Sequence, residues 1–187
     1  MIKALLLLVS SVLILSLQAN ENVTFKGTLY SLAGNTQNVG SIAPVVKVVT
    51  PELKEKSLGD KQKKLQVIIT VPSIDTPVCD LEARTFNEKV EKLINTDVTV
   101  VSMDLPFAAG RYCAAHYIKN VTVASDFRTK SFVNAYGVLI KDGPLQGLAA
   151  RAIFIVKDGK IVYKQLVREI TNEPNYDDVL KAIKRFS

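Results

Sequence analysis

The stretch Leu65-Gln66-Val67-Ile68-Ile69-Thr70-Val71, stopped by Pro72 and followed by Ser73-Ile74-Asp75-Thr76-Pro77-Val78-Cys79, decides the fold. The first seven residues are short, apolar and rich in β-branched side chains, as expected of a strand buried on both faces. From Cys79 onward the period changes. Ala83, Phe86, Val90 and Leu93 follow at steps of four, three, four and three, which puts them on one helical face with Cys79 at its start. Val98 to Met103 then reads as a second apolar strand, and strand, helix, strand in this order implies a parallel crossover.

Reading outward toward the C-terminus, a shorter helical stretch is predicted near Phe107 to Tyr117 and a strand at Val121 to Ala124. Asp126 or Thr129 is placed to cap a helix carrying Phe132, Val133 and Tyr136 and ending at Gly137. Arg151 to Val156 and Lys160 to Val167 flank Asp158-Gly159, a pair suited to positive φ and so to a tight antiparallel hairpin. Tyr176, Val179, Leu180 and Ile183 form the apolar stripe of a last helix, with Pro174 near its first turn. Toward the N-terminus, Val23 to Leu32 alternates weakly before Gly34-Asn35, suggesting a hairpin or edge strand. The order is that of an α/β, thioredoxin-like fold with an N-terminal β-hairpin addition.

At 187 residues the chain has room for one domain and a targeting segment. Met1 to Asn20 carries Lys3, the apolar run Ala4 to Leu17 and the small residue Ala19, which is the pattern of a secretory signal. The run falls short of the roughly 20 apolar residues that span a bilayer as a helix. The expectation is therefore a signal peptide over 1–19, a mature domain over 20–187 and export to the periplasm or beyond, with no stable membrane insertion after cleavage. Leu17 stands where a small residue is usual before the cleavage point, so a membrane tether through an uncleaved segment is the alternative. The formal net charge is +6, but the basic residues are dispersed except for Lys61, Lys63 and Lys64 and lack interleaved aromatic residues. A solvated surface explains them, and nucleic-acid binding is not expected.

The chemistry rests on two cysteines, Cys79 and Cys113. In an exported protein one structural disulfide is the simplest account of such a pair. The setting of Cys79 offers another. It lies between the C-terminal end of a parallel strand and the N-terminus of a helix, where open α/β sheets place their sites. Free backbone N–H groups and the helix dipole there stabilise an anion and favour the thiolate. The Thr76 hydroxyl, three residues earlier, is in a position to donate to the sulfur or to a bound oxygen, and Pro72 restricts access of water. Both residues also have purely structural roles available, as a cap and a strand stop. Arg151 begins an otherwise apolar strand and needs either an anionic partner or a path to solvent. His116, the single histidine, gives little support to a metal cluster or a Cys-His dyad. The glycines of Asp142-Gly143-Pro144-Leu145-Gln146-Gly147 lack the Lys-Ser or Lys-Thr of a phosphate loop and read as turn residues.

Taken together, these segments resemble one family. Pro72 to Cys79 is similar to the peroxidatic Pro-x-x-x-Thr-x-x-Cys motif of peroxiredoxins, in the form typical of bacterial thiol peroxidases, the atypical 2-Cys group. Asp104-Leu105-Pro106-Phe107, Arg111-Tyr112-Cys113, Asp142-Gly143-Pro144-Leu145, Leu148-Ala149-Ala150-Arg151 and Glu169-Ile170-Thr171 resemble its other motifs. The resemblance implies a thiol-specific peroxidase that reduces hydrogen peroxide and organic hydroperoxides through a sulfenic acid and an intrachain Cys79–Cys113 disulfide. It carries the peroxidatic role to Cys79, the resolving role to Cys113 and supporting roles to Thr76, Arg151 and Pro72. It also implies a homodimer, a thioredoxin-like dithiol reductant and no metal or organic cofactor. Two features depart from the family. An export segment is uncommon in it, and His116-Tyr117 stands where an acid-Gly pair is expected after the resolving cysteine. The rival readings are a thioredoxin-type oxidoreductase, which would want a Cys-x-x-Cys, and a binding domain with a structural disulfide.

Overall fold

A computed structural model describes residues 21–91 and 93–187. The predicted signal segment 1–19 lies outside the described residues. Two antiparallel strands, β1 (Asn22–Phe25) and β2 (Thr28–Ala33), form the N-terminal hairpin. A second hairpin, β3 (Val46–Val49) and β4 (Glu55–Leu58), precedes the buried strand β5 (Leu65–Thr70). Then follow α1 (Pro77–Lys89), β6 (Thr96–Ser102), α2 (Pro106–Ala115), β7 (Thr122–Ser125) and α3 (Ser131–Ala135). The chain closes with β8 (Leu139–Ile140), β9 (Ala152–Lys157), β10 (Lys160–Leu166) and α4 (Tyr176–Phe186).

Seven strands make the main sheet, in the order β10-β9-β5-β6-β7-β3-β4, with β5, β6 and β7 parallel. Every residue of β5 is buried, because side chains on both of its faces meet packed layers. Val67, Ile69 and Val71 join the core under α1, α2 and α4, which receives Phe86, Ala109, Tyr112 and Val179. Ile68 faces the opposite core with Phe132, Tyr136 and Phe154. That second core is covered by α3 and by a small sheet of order β1-β2-β8, to which Val23, Leu32 and Ile140 contribute. The N-terminal hairpin is thus a lid on the core rather than an extension of the main sheet.

The Asp158-Gly159 turn has both residues at positive φ and joins β9 to β10 with Lys157 opposite Lys160, as the two-residue hairpin requires. The cap of α3 is formed differently from the expectation. Lys130, in the left-handed region, occupies the position before the helix and supplies no side-chain cap, while the Asp126 carboxylate reaches in to accept from the Val133 N–H at 3.0 Å. The β3–β4 hairpin had no clear sequence signal. Lys47, Glu55 and Lys56 interrupt its apolar pattern, since the hairpin forms the outer margin of the sheet and carries exposed ion pairing between Lys47 and Glu55.

Candidate active site

The loop from β5 to α1 is held by one carboxylate. Asp104, just past the end of β6, accepts from the Ser73 hydroxyl at 2.8 Å, the Ile74 N–H at 2.8 Å and the Ser102 hydroxyl at 2.8 Å. These bonds tie the loop to the neighbouring parallel strand and set where α1 starts. Pro72 is buried beneath the loop, and Pro77 occupies the first turn of α1, where its missing N–H costs nothing. Cys79 lies in that first turn, 0% exposed, on the face shared with Glu82, Ala83 and Phe86.

Arg151 approaches the sulfur from the opposite strand. The Thr70 hydroxyl in β5 donates to Ala150 O at 2.7 Å and accepts from the Ala152 N–H at 3.1 Å, which fixes the backbone on either side of Arg151. The arginine is 1% exposed, so it points inward and does not reach solvent. Its guanidinium donates to Cys79 Sγ at 3.3 Å, to Ile170 O at 3.1 and 3.2 Å, and to Glu82 Oε2 in a buried ion pair. Burial alone would lower the pKa of this guanidinium, yet its pairing with Glu82 raises it, so it remains a cation beside the sulfur. Negative charge formed on the sulfur is thereby stabilised in a dry setting where such interactions are strong.

Glu82 was not singled out from the sequence. Its position three residues after Cys79, on the same helical face, was the available signal. Burial raises its carboxyl to about 7, against the pull of Arg151. The Glu169-Ile170-Thr171 segment also gains a definite role. Ile170 O receives the guanidinium, while the Glu169 carboxylate accepts from the Thr24 hydroxyl and from the N–H groups of Lys26 and Gly27 at 2.9 to 3.1 Å. Hydrogen bonding, led by Thr171, holds Glu169 at a pKa of about 2. The N-terminal hairpin is therefore connected through residues 169–170 to Arg151.

The remaining predicted residues are placed less directly. Thr76 is exposed and its hydroxyl donates to Ser73 O at 3.0 Å rather than to the sulfur, because the loop turns that hydroxyl back on itself. Cys113 lies on α2 and is half-buried beside a cavity of about 530 Å³ that is also lined by Pro51, Glu52 and Lys54. Burial, followed by Glu52, raises its thiol pKa. Both cysteines are free thiols. His116 points toward the first turn of α1, with Nδ1 3.6 Å from Asp80 Oδ1 and its ring 4.7 Å from that of Tyr112. Among the described residues no group of three or more His, Cys, Asp or Glu is arranged to hold a metal ion.

A thiol at a helix N-terminus, beside a buried guanidinium and one strand from a second thiol, is the equipment of thiol redox chemistry, and comparison with known proteins agrees. The redoxin family profile matches residues 38–180. The chain is 53% identical over 165 residues to a thiol peroxidase of Aquifex aeolicus, covering 88% of this chain and 97% of that protein. It is 51% identical over 153 residues to a thiol peroxidase of Campylobacter jejuni, covering 82% and 87%. The crystal structure of a peroxiredoxin-like protein from Aquifex aeolicus superposes with a TM-score of 0.87 at 52% identity, over 89% of this chain and 97% of that one. A thiol peroxidase from Chromobacterium violaceum shares the fold, with a TM-score of 0.80 at 20% identity over 88% and 95%. Similarity of this order over most of the chain, on a thioredoxin-like framework, means that the chain belongs to the redoxin family as a peroxidase of the peroxiredoxin type.

Proposed function

We propose that this peroxidase reduces hydrogen peroxide and organic hydroperoxides with Cys79 as nucleophile and Cys113 as resolving thiol. The Cys79 thiolate attacks the distal oxygen of ROOH, the O–O bond breaks, and RO⁻ takes up a proton to leave as alcohol or water. Arg151 and the free N–H groups of the first turn of α1 stabilise charge on sulfur and oxygen. Thr76 turns its hydroxyl from Ser73 O to the peroxide, and buried Pro72 keeps competing water out. The Cys113 thiol then condenses with the sulfenic acid, releasing water and forming the intrachain disulfide. An external dithiol of thioredoxin type returns both cysteines to thiols by exchange.

The observation that carries this reading is the 3.3 Å contact between the buried Arg151 guanidinium and Cys79 Sγ. The deciding experiment is peroxide consumption by purified, reduced protein, wild type beside Cys79→Ser. We expect the variant to remain folded and to consume no peroxide; wild-type turnover by the variant overturns the assignment. The exposed apolar side chains of Leu105, Phe107 and Phe127 support a homodimer, tested by mass in solution. Export rests on the composition of residues 1–19, and cell fractionation tests it. Among the described residues no helix is long and apolar enough to cross a membrane.

A further inference from the structure

The residue after Cys79 and the residue before Cys113 are bonded to each other. Tyr112 Oη donates to Asp80 Oδ1 at 3.0 Å and lies 3.2 Å from Asp80 O, so a side chain on α2 is fastened to both the side chain and the backbone of the first turn of α1. The contact is braced on each side. Arg84 holds the Asp80 carboxylate with two bonds, at 3.0 and 2.8 Å, and His116 packs on the Tyr112 ring with Nδ1 3.6 Å from Asp80 Oδ1. Hydrogen bonding from Arg84 lowers the Asp80 pKa, and burial followed by Asp80 raises that of Tyr112, so the pair stays a carboxylate and a neutral phenol, acceptor and donor.

The C-terminal end of α2 is less secure. The Ile118 N–H bonds to Cys113 O at 3.0 Å, closing the helix in a Schellman arrangement whose left-handed position is usually glycine. Here that position is Tyr117, at φ +52°, so a bulky residue carries backbone strain five residues after the latch tyrosine.

We propose that Tyr112 and Asp80 are positioning residues for the resolving step: they latch the Cys79 turn to the Cys113 helix, and this latch opens before the two sulfurs meet. The inference rests on the proposed function, in which Cys79 sulfenic acid and the Cys113 thiol combine to a disulfide and water. With Cys79 buried on α1 and Cys113 on a separate helix, joining them requires at least one segment to leave its place. Either movement pulls on the Tyr112–Asp80 bond, because its two ends are covalent neighbours of the reacting residues. The latch thereby sets how long the sulfenic acid survives. A second hydroperoxide competes during that time, oxidising Cys79–SOH to the sulfinic acid and leaving as alcohol or water.

The test is a single-turnover series on the full chain, in which reduced protein receives one equivalent of hydrogen peroxide. Loss of Cys79 thiol and formation of the Cys79–Cys113 disulfide are timed separately by quench and mass spectrometry. Tyr112→Phe keeps the ring against His116 and removes only the hydroxyl. It should leave the peroxide step unchanged and speed disulfide formation about tenfold, the effect of losing one hydrogen bond to a charged group. The sulfinic fraction formed under excess peroxide should fall in parallel. Asp80→Asn should act in the same direction by about threefold, since its amide oxygen still accepts from Tyr112 without the charge, and the double variant should match Tyr112→Phe alone, because both changes act on one interaction. Disulfide formation within twofold of wild type in both single variants, or additive effects in the double, overturns the latch. Absence of any peroxide oxidation at Cys79 in the wild type would instead overturn the function on which it rests.

Discussion

The surroundings of the two cysteines differ in how many elements hold them. Cys79 is fully buried at a point where β5, α1, the residue before β9 and the strap 168–171 meet, and its guanidinium neighbour is bonded to a carboxylate and a carbonyl. Cys113 is half-buried on a ten-residue helix, between buried Tyr112 and exposed Ala114, and that helix ends on a non-glycine residue at positive φ. A nucleophile that must meet a small substrate gains from rigid, preorganised charge. A thiol that must travel gains from a segment that is inexpensive to release. In the proposed mechanism these needs are divided between α1 and α2.

The sharpest way to break this comparison is to remove the thiol proposed to resolve. Cys113→Ser should still take up one equivalent of peroxide per chain at the wild-type rate and then stop as sulfenic acid, abolishing dithiol-dependent turnover. The wild type should yield an intrachain bond, seen as a monomer on non-reducing electrophoresis with Cys79 and Cys113 joined in one peptide map. Mainly interchain linkage would mean that the resolving thiol comes from elsewhere.

Next in size is the rigid side. Arg151→Ala should slow the peroxide step by roughly 10² or more, comparable to loss of one oxyanion donor. It should also lower stability by about 3 kcal/mol at pH 8, because Glu82 is left buried without its counter-ion. Stopped-flow peroxide kinetics and denaturant unfolding read the two effects. A peroxide rate within a factor of two of wild type would reduce Arg151 to a packing residue.

Glu82 sharpens the same comparison through pH. Its native pKa of about 7 lies above the ordinary 4.5, so between these values the native state holds more proton than the unfolded state. Stability should therefore fall as pH rises from 4.5 to about 7, by up to about 1.4 kcal/mol per pH unit from this group, and level off above. Glu82→Gln should flatten that slope in denaturant titrations. The smallest effect is expected at Glu169→Ala, which loosens the hairpin clamp behind Ile170 while leaving Arg151 its carboxylate. Its peroxide step should fall by less than about threefold, with a melting temperature lowered above about pH 4.5 and a difference from wild type that shrinks as pH falls toward about 2, since the clamp acts only while Glu169 is ionised.

The strands and helices that face the core were legible from residue patterns because burial imposes a period. β5 and β6 read as apolar runs, α1 as a stripe, and the β9–β10 turn as Asp158-Gly159. The β3–β4 hairpin has no apolar period to read because its exposed positions are filled with Lys and Glu, and β8 has none because it is only two residues long, Leu139 and Ile140, paired with β2 and with the turn that follows. At the site, Cys79, Cys113 and Arg151 were identifiable as residue types out of keeping with their surroundings. Glu82 was not, since a glutamate three positions along a helix looks like a solvated one until its face is known.

Sequence alone determined that a thiol sits at a strand-to-helix junction, that a second thiol lies one crossover later, and that an arginine heads a buried strand. Those are local facts, carried by periodicity and by chain neighbours. Only the tertiary structure decided that Arg151 turns inward to Cys79, that Glu82 shares it, that Thr76 rests on Ser73 O, and that Tyr112 fastens the two cysteine segments together. Each of these depends on which faces of distant elements meet, and the energy of a buried charge or hydrogen bond is set by that meeting rather than by any neighbour in the chain.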